Sequence, residues 1–288
     1  MIVIWSGLSV GAIYALTALA YTIVFIPSGT FNFAQAFFVM IGAFLAYTTL
    51  VSWHLPWIVA VLVCGAVAGA AGYVEEWTAL RPIRGKGTHA ELVTTVGFGF
   101  LLTGIAQLVW GTSPLEVPFI GSNTPFSLLG GRVRPDDVAL IITAVVIAVG
   151  LWLFSRRSLT GLASLAAAQD REAAALKGVN VNRLSGWAVV LACCLSGVVG
   201  PLIAPETYAV TSLATSLVIV AFVAVVLGGF GSFIGAAVGG FLMGLIEALG
   251  GRYLNVNYGN ILVLAALVAV LLLRPNGIFG ARATRRLV

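Results

Sequence analysis

The polar residues that interrupt the apolar runs of this chain are the first candidates for chemistry. Asn32 and Gln35 lie in the stretch 27–35, PSGTFNFAQ, between two long apolar runs. Ser232 closes a second interruption, GGFGS at 228–232, and Glu247 is an isolated acid in the apolar run that follows. Amides, a hydroxyl and a single carboxylate suit hydrogen bonding to a polar solute. They do not make a nucleophile with its base. The two histidines, His54 and His89, stand apart beside the ends of apolar runs. Cys64, Cys193 and Cys194 lie inside such runs and show no metal-ligand spacing. They read as small apolar fillers. RGKGTH at 84–89 sets a lysine among glycines but lacks the spacing of a phosphate-binding loop. No catalytic residue, no metal site and no cofactor bound by this chain is expected.

Two readings of PSGTFNFAQ stand side by side. Pro27 ends the first run, Gly29 permits a turn that a side chain resists, and Asn32 with Gln35 has the pattern of a capping box for the next helix. Alternatively, the break aims free backbone N–H groups and a helix N-terminus into a water-filled cavity, where non-helical backbone at membrane depth is tolerated. The GGFGS break precedes a helix of the same direction. On the second reading both breaks face a passage, with Asn32, Gln35 and Ser232 as polar contacts. Glu247 divides likewise between an inter-helix hydrogen bond and a role in translocation. A charge at the bilayer centre costs about 2.5–3.5 kcal/mol on insertion scales, so it should sit near the outer end of its helix. Thr94, Thr95 and Gln107 are weaker candidates, since threonine commonly bonds its own helix.

The elements that must position these residues follow from composition. Hydrophobic residues make up 60% of the 288 residues and charged residues 9%, with a mean hydropathy of +1.07. A soluble domain carries about 25% charged residues, so the bilayer is the better solvent for this chain. Apolar runs at 3–26, 33–51, 57–74, 92–110, 138–154, 186–204, 213–227, 233–249 and 258–273 are candidate spans. Spans in hydrocarbon must be helical or closed barrels, and no period-two alternation is visible. The expected fold is an all-α, polytopic bundle of about eight to ten helices, one membrane domain over 1–288. Glycine pairs at four-residue spacing, Gly7/Gly11, Gly65/Gly69 and the row Gly231, Gly235, Gly239, then Gly240 and Gly244, are expected to pack helices closely. Tyr73, Trp77, Trp53, Trp57 and Trp110 fall at span ends, as interface anchors do.

Charge sets the orientation. Alternating the loops places Arg81, Arg84, Lys86, Arg156, Arg157, Arg171, Lys177, Arg183, Arg274, Arg282, Arg285 and Arg286 on one side, and only Arg132, Arg134 and Arg252 on the other. Basic loops stay in the cytoplasm, so the N-terminus is expected outside and the C-terminus inside. The net charge of +5 is then topological and not a nucleic-acid footprint. No basic region precedes the first run, so a cleavable signal is not expected.

The longest loop on the basic side, about 155–185, favours helix by its alanine, leucine, glutamate and lysine. One helix is expected over 162–177, with Gly178 as its C-cap and a turn at Asn180. Within it, EAAALKG at 172–178 has the form E-A-A-x-x-x-G. This resembles the coupling loop of ABC-importer membrane subunits. Together with GLSVGAIYALTALAYTIVF, FNFAQAFFVMIGAFLAY, VLGGFGSFIGAAVGGFLMGLIEAL and RPNGIFG, the chain resembles the permease subunits of branched-chain amino acid importers, a family that includes amide and urea permeases. The resemblance runs from Gly7 to Gly280. It departs at Gln35–Ala36, where family members more often carry glycine or histidine-glycine.

The resemblance implies half of a translocation pathway in a bacterial cytoplasmic membrane, with no enzymatic activity of its own. The solute would be a branched-chain or other hydrophobic amino acid; urea, amides, aromatic acids or another small solute are alternatives. It implies a second related permease subunit, two ATPase subunits that bind ATP and Mg, and an extracytoplasmic solute-binding protein. Asp170, Arg171, Glu172, Ala173, Ala174 and Gly178 would form the ATPase-coupling knob. A stand-alone secondary transporter or channel is the lower-ranked alternative, because titratable groups at mid-membrane are scarce.

Overall fold

The computed structural model describes residues 2–84, 88–119, 124–128, 131–253, 259–274 and 277–279. Each of the nine apolar runs is a helix: α1 Ile2–Ser28, α2 Gln35–Ala46, α3 Trp57–Glu75, α4 Thr88–Trp110, α5 Pro135–Arg157, α8 Val181–Thr207, α9 Ser212–Gly228, α10 Phe233–Tyr253 and α11 Gly259–Leu273. Two short helices, α6 Leu159–Gln169 and α7 Arg171–Leu176, fill the loop between α5 and α8. The sole strands among the described residues form a hairpin, β1 Phe126–Leu128 with β2 Gly131–Val133. A π-helical turn, Tyr47–Ser52, extends α2, and another, Glu76–Leu80, carries α3 on to a single 3-10 turn, Arg81–Ile83. The expected loop after 74 therefore begins about nine residues later, because helical backbone continues past the charged pair Glu75–Glu76.

Among the described residues, seven helices are long and apolar enough to cross a membrane; α9 and α11, with 17 and 15 residues, are shorter. Pairing by small residues builds the centre. α1 packs most extensively on α10, where a side chain on Gly244 would fall on the backbone of Gly11 and one on Gly240 would fall on Ala15. α3 lies on α8 through Gly65, Gly69 and Gly72 against Val198, Cys194 and Cys193. The glycine spacing thus does what the sequence suggested, letting backbones approach where lipid supplies no hydrophobic drive, except at Gly231, which meets nothing within 4 Å and serves the turn before α10. Tyr21, Phe38, Phe44, Met40 and Leu16 fill the core between α1, α2, α8, α9 and α10. The outer helices α3, α4, α5 and α11 expose Leu62, Phe100, Val146 and Leu264. Apolar surface turned outward is what a lipid solvent requires.

The loops sort into two faces, each tied by its own hydrogen bonds. On one, Arg171 and Ser185 donate to the carbonyls of Ser28 and Pro27, Arg84 donates to that of Asn182, and Ile278 and Phe279 donate through their amides to Leu227 and Gly228. On the other, Leu115 and Ala209 exchange backbone bonds, and Arg134 pairs with Glu206. Arg81, Arg84, Arg156, Arg157, Arg171, Lys177, Arg183 and Arg274 belong to the first face, Arg134 and Arg252 to the second, where the backbone of Arg132 in β2 also lies. Lys86, Pro275, Asn276, Arg282, Arg285 and Arg286 lie outside the described residues.

Candidate functional site: two helix breaks beside a short surface helix

The break between α1 and α2 is built around Asn32. Ser28 turns its hydroxyl onto the Val24 carbonyl, and Gly29 takes a φ of 71°, which reverses the chain where most side chains would strain. The Asn32 Oδ1 then accepts from the Ala34 amide at 3.0 Å, closing an Asx turn, and its carbonyl accepts from the Gln35 amide. Its Nδ2 donates to Glu75 Oε2 at 3.2 Å. The Phe33 amide reaches Thr95 Oγ1 at 3.3 Å.

Gln35 does not reach back to cap the helix. Its Nε2 donates to Ser196 Oγ on α8 at 2.7 Å, and the Cys193 thiol donates to its Oε1 at 3.7 Å. The capping-box expectation is overturned: Ala34 is the N-cap of α2 and makes no side-chain bond. An amide inside a dense apolar core gains more from partners on α8 than from an already satisfied turn, since a buried polar group without a partner costs about 1–3 kcal/mol.

Glu75 is the residue that the sequence did not single out. It is 0% exposed, as is Gln35, and Asn32 is 2% exposed. Its Oε2 takes Asn32 and the Cys193 thiol at 3.8 Å, while its Oε1 has no partner among the described residues. A carboxylate at the end of an apolar run, followed by a second glutamate and a tryptophan, looks like the start of a loop. Cys193, read as an apolar filler, is also a weak donor to two of these side chains.

The second break joins the first through aromatic rings. Phe25 lies 5.2 Å from Phe230, and Phe31 packs on Phe222 and Phe230 at 5.1 and 6.0 Å; Phe33 adds a contact to Phe222. Gly229 and Gly231 turn the chain with φ of 100° and 80°, and Ser232 Oγ accepts from the Gly235 amide at 3.0 Å, capping α10. Ser232 and the half-exposed Phe230 line an open cleft that continues to Arg156 and Phe279. Glu247 accepts from the Tyr14 hydroxyl at 2.5 Å, an inter-helix bond, which is one of the two roles the sequence left open for it. Thr94 and Thr95 bond their own helix, and Gln107 is exposed.

The expected single helix over 162–177 is in fact two. Asp170 adopts extended backbone, and its carboxylate accepts from the amides of Glu172 and Ala173, both at 3.0 Å. An N-cap at that point ends α6 and starts α7. Ala174 is the buried contact of α7, packed with Ala167 and Val181, while Arg171, Glu172, Ala173 and Leu176 face outward. Gly178 has a φ of 90° and Asn180 caps α8 through the Arg183 amide. Arg171 joins this knob to the first break: Nη1 donates to the Ser28 carbonyl and Nη2 to Asn182 Oδ1, both at 3.0 Å.

On the opposite face, Asp136, Asp137 and Glu206 lie close together, and Arg134 pairs with all three. The Asp137 carboxylate also accepts from the Arg134 amide, closing the start of α5.

Residues 3–271 match the family described as branched-chain amino acid transport system / permease component. The chain is 31% identical over 296 residues to the high-affinity branched-chain amino acid transport system permease protein LivH of Salmonella typhimurium, covering 96% of this chain and 94% of that protein. It is 32% identical over 289 residues to the permease protein BraD of Pseudomonas aeruginosa, with the same coverage. Among solved structures, PsaBC from Streptococcus pneumoniae in complex with Fab aligns over 94% of this chain and 91% of that one at 16% identity and a TM-score of 0.48, too loose a match to carry a fold argument.

Proposed function

This chain belongs to the branched-chain amino acid transport permease family, and on that premise we propose that it forms half of the translocation pathway of an ATP-driven importer for a branched-chain amino acid. It is a multi-pass protein of the cytoplasmic membrane, in keeping with its seven membrane-capable helices and bacterial relatives. The residues 1–288 act as one membrane domain. A second permease subunit completes the pathway, two ATPase subunits bind ATP and Mg, and an extracytoplasmic receptor delivers the solute. The face carrying α6 and α7 is cytoplasmic, because eight described basic side chains gather there against two on the other face. The N-terminus is therefore outside and the C-terminus inside.

The observation that carries this reading is the Arg171–Ser28 hydrogen bond at 3.0 Å. α7 stands out from the face with its capped start, its buried Ala174 and an apolar tip, Leu176, that is 89% exposed. A helix that short is marginal unless held at both ends. Here Asp170 caps one end and Gly178 ends the other, so the segment 170–178 can move as a unit. Arg171 links that unit to the carbonyl at the end of α1. Displacement of α7 by a closing ATPase pulls on the first break and, through Phe25 and Phe31, on the second. Asn32 and Gln35 shape the pathway from behind, by fixing the turn and the ring cluster. Ser232 acts by capping α10 beside the cleft, and Glu247 by holding α10 to α1.

The test is reconstitution of the complete complex in liposomes, with receptor outside and ATP inside. Labelled leucine should accumulate only with ATP and all subunits present. Uptake by this chain without ATPases would instead make it a stand-alone carrier or channel.

A further inference from the structure

We infer that the seam between the end of α3 and the start of α8 is a binding site for the headgroup of an anionic phospholipid. Toward the basic face, past the glycines that hold α3 against α8, residues 73–84 and the start of α8 line a cavity of about 490 Å³. Arg81, Arg84 and Arg183 line it, with Glu76 as the single acid. Arg84 is occupied: it pairs with Glu76 at 2.6 Å and donates to the Asn182 carbonyl. Arg81 and Arg183 make no ion pair or side-chain hydrogen bond among the described residues, and both are exposed. The cavity thus keeps two unspent guanidinium groups facing one space. Neither belongs to the Arg171–Ser28 linkage.

The other wall identifies the ligand as a lipid. Tyr73, Trp77 and Trp187 line the same cavity and are each about 60% exposed. Their polar atoms have no partner among the described residues. Amphipathic rings of this kind settle at headgroup level. Below them α3 and α8 expose Val67 and Leu191, so two acyl chains would run down apolar surface while the phosphate meets the arginines. Arginine presents a planar fork suited to phosphate oxygens, and basic pockets between membrane helices on the cytoplasmic side take anionic headgroups. A free anion would use the arginines but leave the aromatic wall without a role.

The test uses the purified full complex in detergent, titrated with dibrominated phosphatidylglycerol, dibrominated phosphatidylcholine or inorganic phosphate, reading tryptophan quenching. Brominated phosphatidylglycerol should quench saturably, phosphatidylcholine weakly, and millimolar inorganic phosphate should not displace the lipid. The R81A/R183A variant should bind phosphatidylglycerol about twenty-five-fold more weakly, from roughly five-fold per arginine. R81K/R183K keeps the charge but loses the fork, so it should bind more tightly than R81A/R183A and more weakly than the parent, which separates charge loss from misfolding. W77F/W187F should remove the saturable quenching and so locate it. Equal phosphatidylglycerol affinity in the parent and R81A/R183A would overturn the inference. Full displacement by inorganic phosphate would also overturn it, in favour of a free-anion site. Unchanged lipid binding together with loss of co-purifying ATPase would assign the arginines to the protein partner. Binding is read without transport, so failure here leaves the importer reading standing.

Discussion

The two helix breaks lie side by side on one face but are held in different ways. The α1–α2 break is held by side chains: Asn32 to Glu75, Gln35 to Ser196, Arg171 to the Ser28 carbonyl. The α9–α10 break is held by backbone. Gly228 and Gly235 touch main chain to main chain, and residues 278–279 lay their amides on the Leu227 and Gly228 carbonyls. The first can be tuned by ordinary substitutions and reports to the surface helix α7. The second tolerates almost nothing larger than hydrogen at its contact points, so it would follow the first as a stiff unit, through Phe25 and Phe31, and not deform within itself.

The sharpest way to break this contrast is at the stiff break. A side chain on Gly228 would collide with the Gly235 backbone. Gly228→Val should cost more than the about 1–3 kcal/mol usual for overpacking, because backbone cannot step aside. Loss of a monodisperse complex in size-exclusion chromatography is expected. A well-assembled, active G228V complex would mean that the second break is not backbone-limited.

At the wired edge the expected effect is on transport more than on assembly. N32A/Q35A removes the donors to Glu75 and Ser196 and should lower stability by about 1–3 kcal/mol for each buried group left unpaired. Uptake in liposomes should fall at least ten-fold while ATPase co-purification survives. Normal uptake would separate the amides from the pathway.

Arg171→Lys sharpens the contrast further. A lysine keeps the charge but lacks the rigid fork that places one Nη on the Ser28 carbonyl and the other on Asn182. Receptor-stimulated ATP hydrolysis should persist while leucine moved per ATP drops several-fold; an unchanged ratio would exclude Arg171 as the link. Ser232→Ala should do least, removing a cap worth about 1 kcal/mol. A small fall in thermal midpoint and near-normal uptake are expected, and a large transport defect would move Ser232 from positioning into direct contact with the solute.

What the sequence disclosed follows the range of the forces involved. All nine apolar runs became helices, since lipid solvation acts on each run locally. The glycine pairs were legible for the same reason: their spacing is a property of one helix. Gln35 was misread because a capping box and a reach across to Ser196 have the same letters, and only the presence of α8 decides between them. Glu75 was missed because its burial depends on Asn32 and Cys193, 43 and 118 residues away. The split at Asp170 was hidden because aspartate inside an alanine-rich stretch reads equally as an exposed helical residue or as an N-cap.

The central claim is that α7 grips the ATPase and passes its motion to the first break. It is tested most directly by a photo-crosslinker at Leu176 in membranes containing the full complex. A crosslink to the ATPase subunit is expected, with a yield that changes on adding ATP and receptor. No ATPase adduct from Leu176, with adducts to the extracytoplasmic receptor instead, would contradict both the orientation and the mechanism.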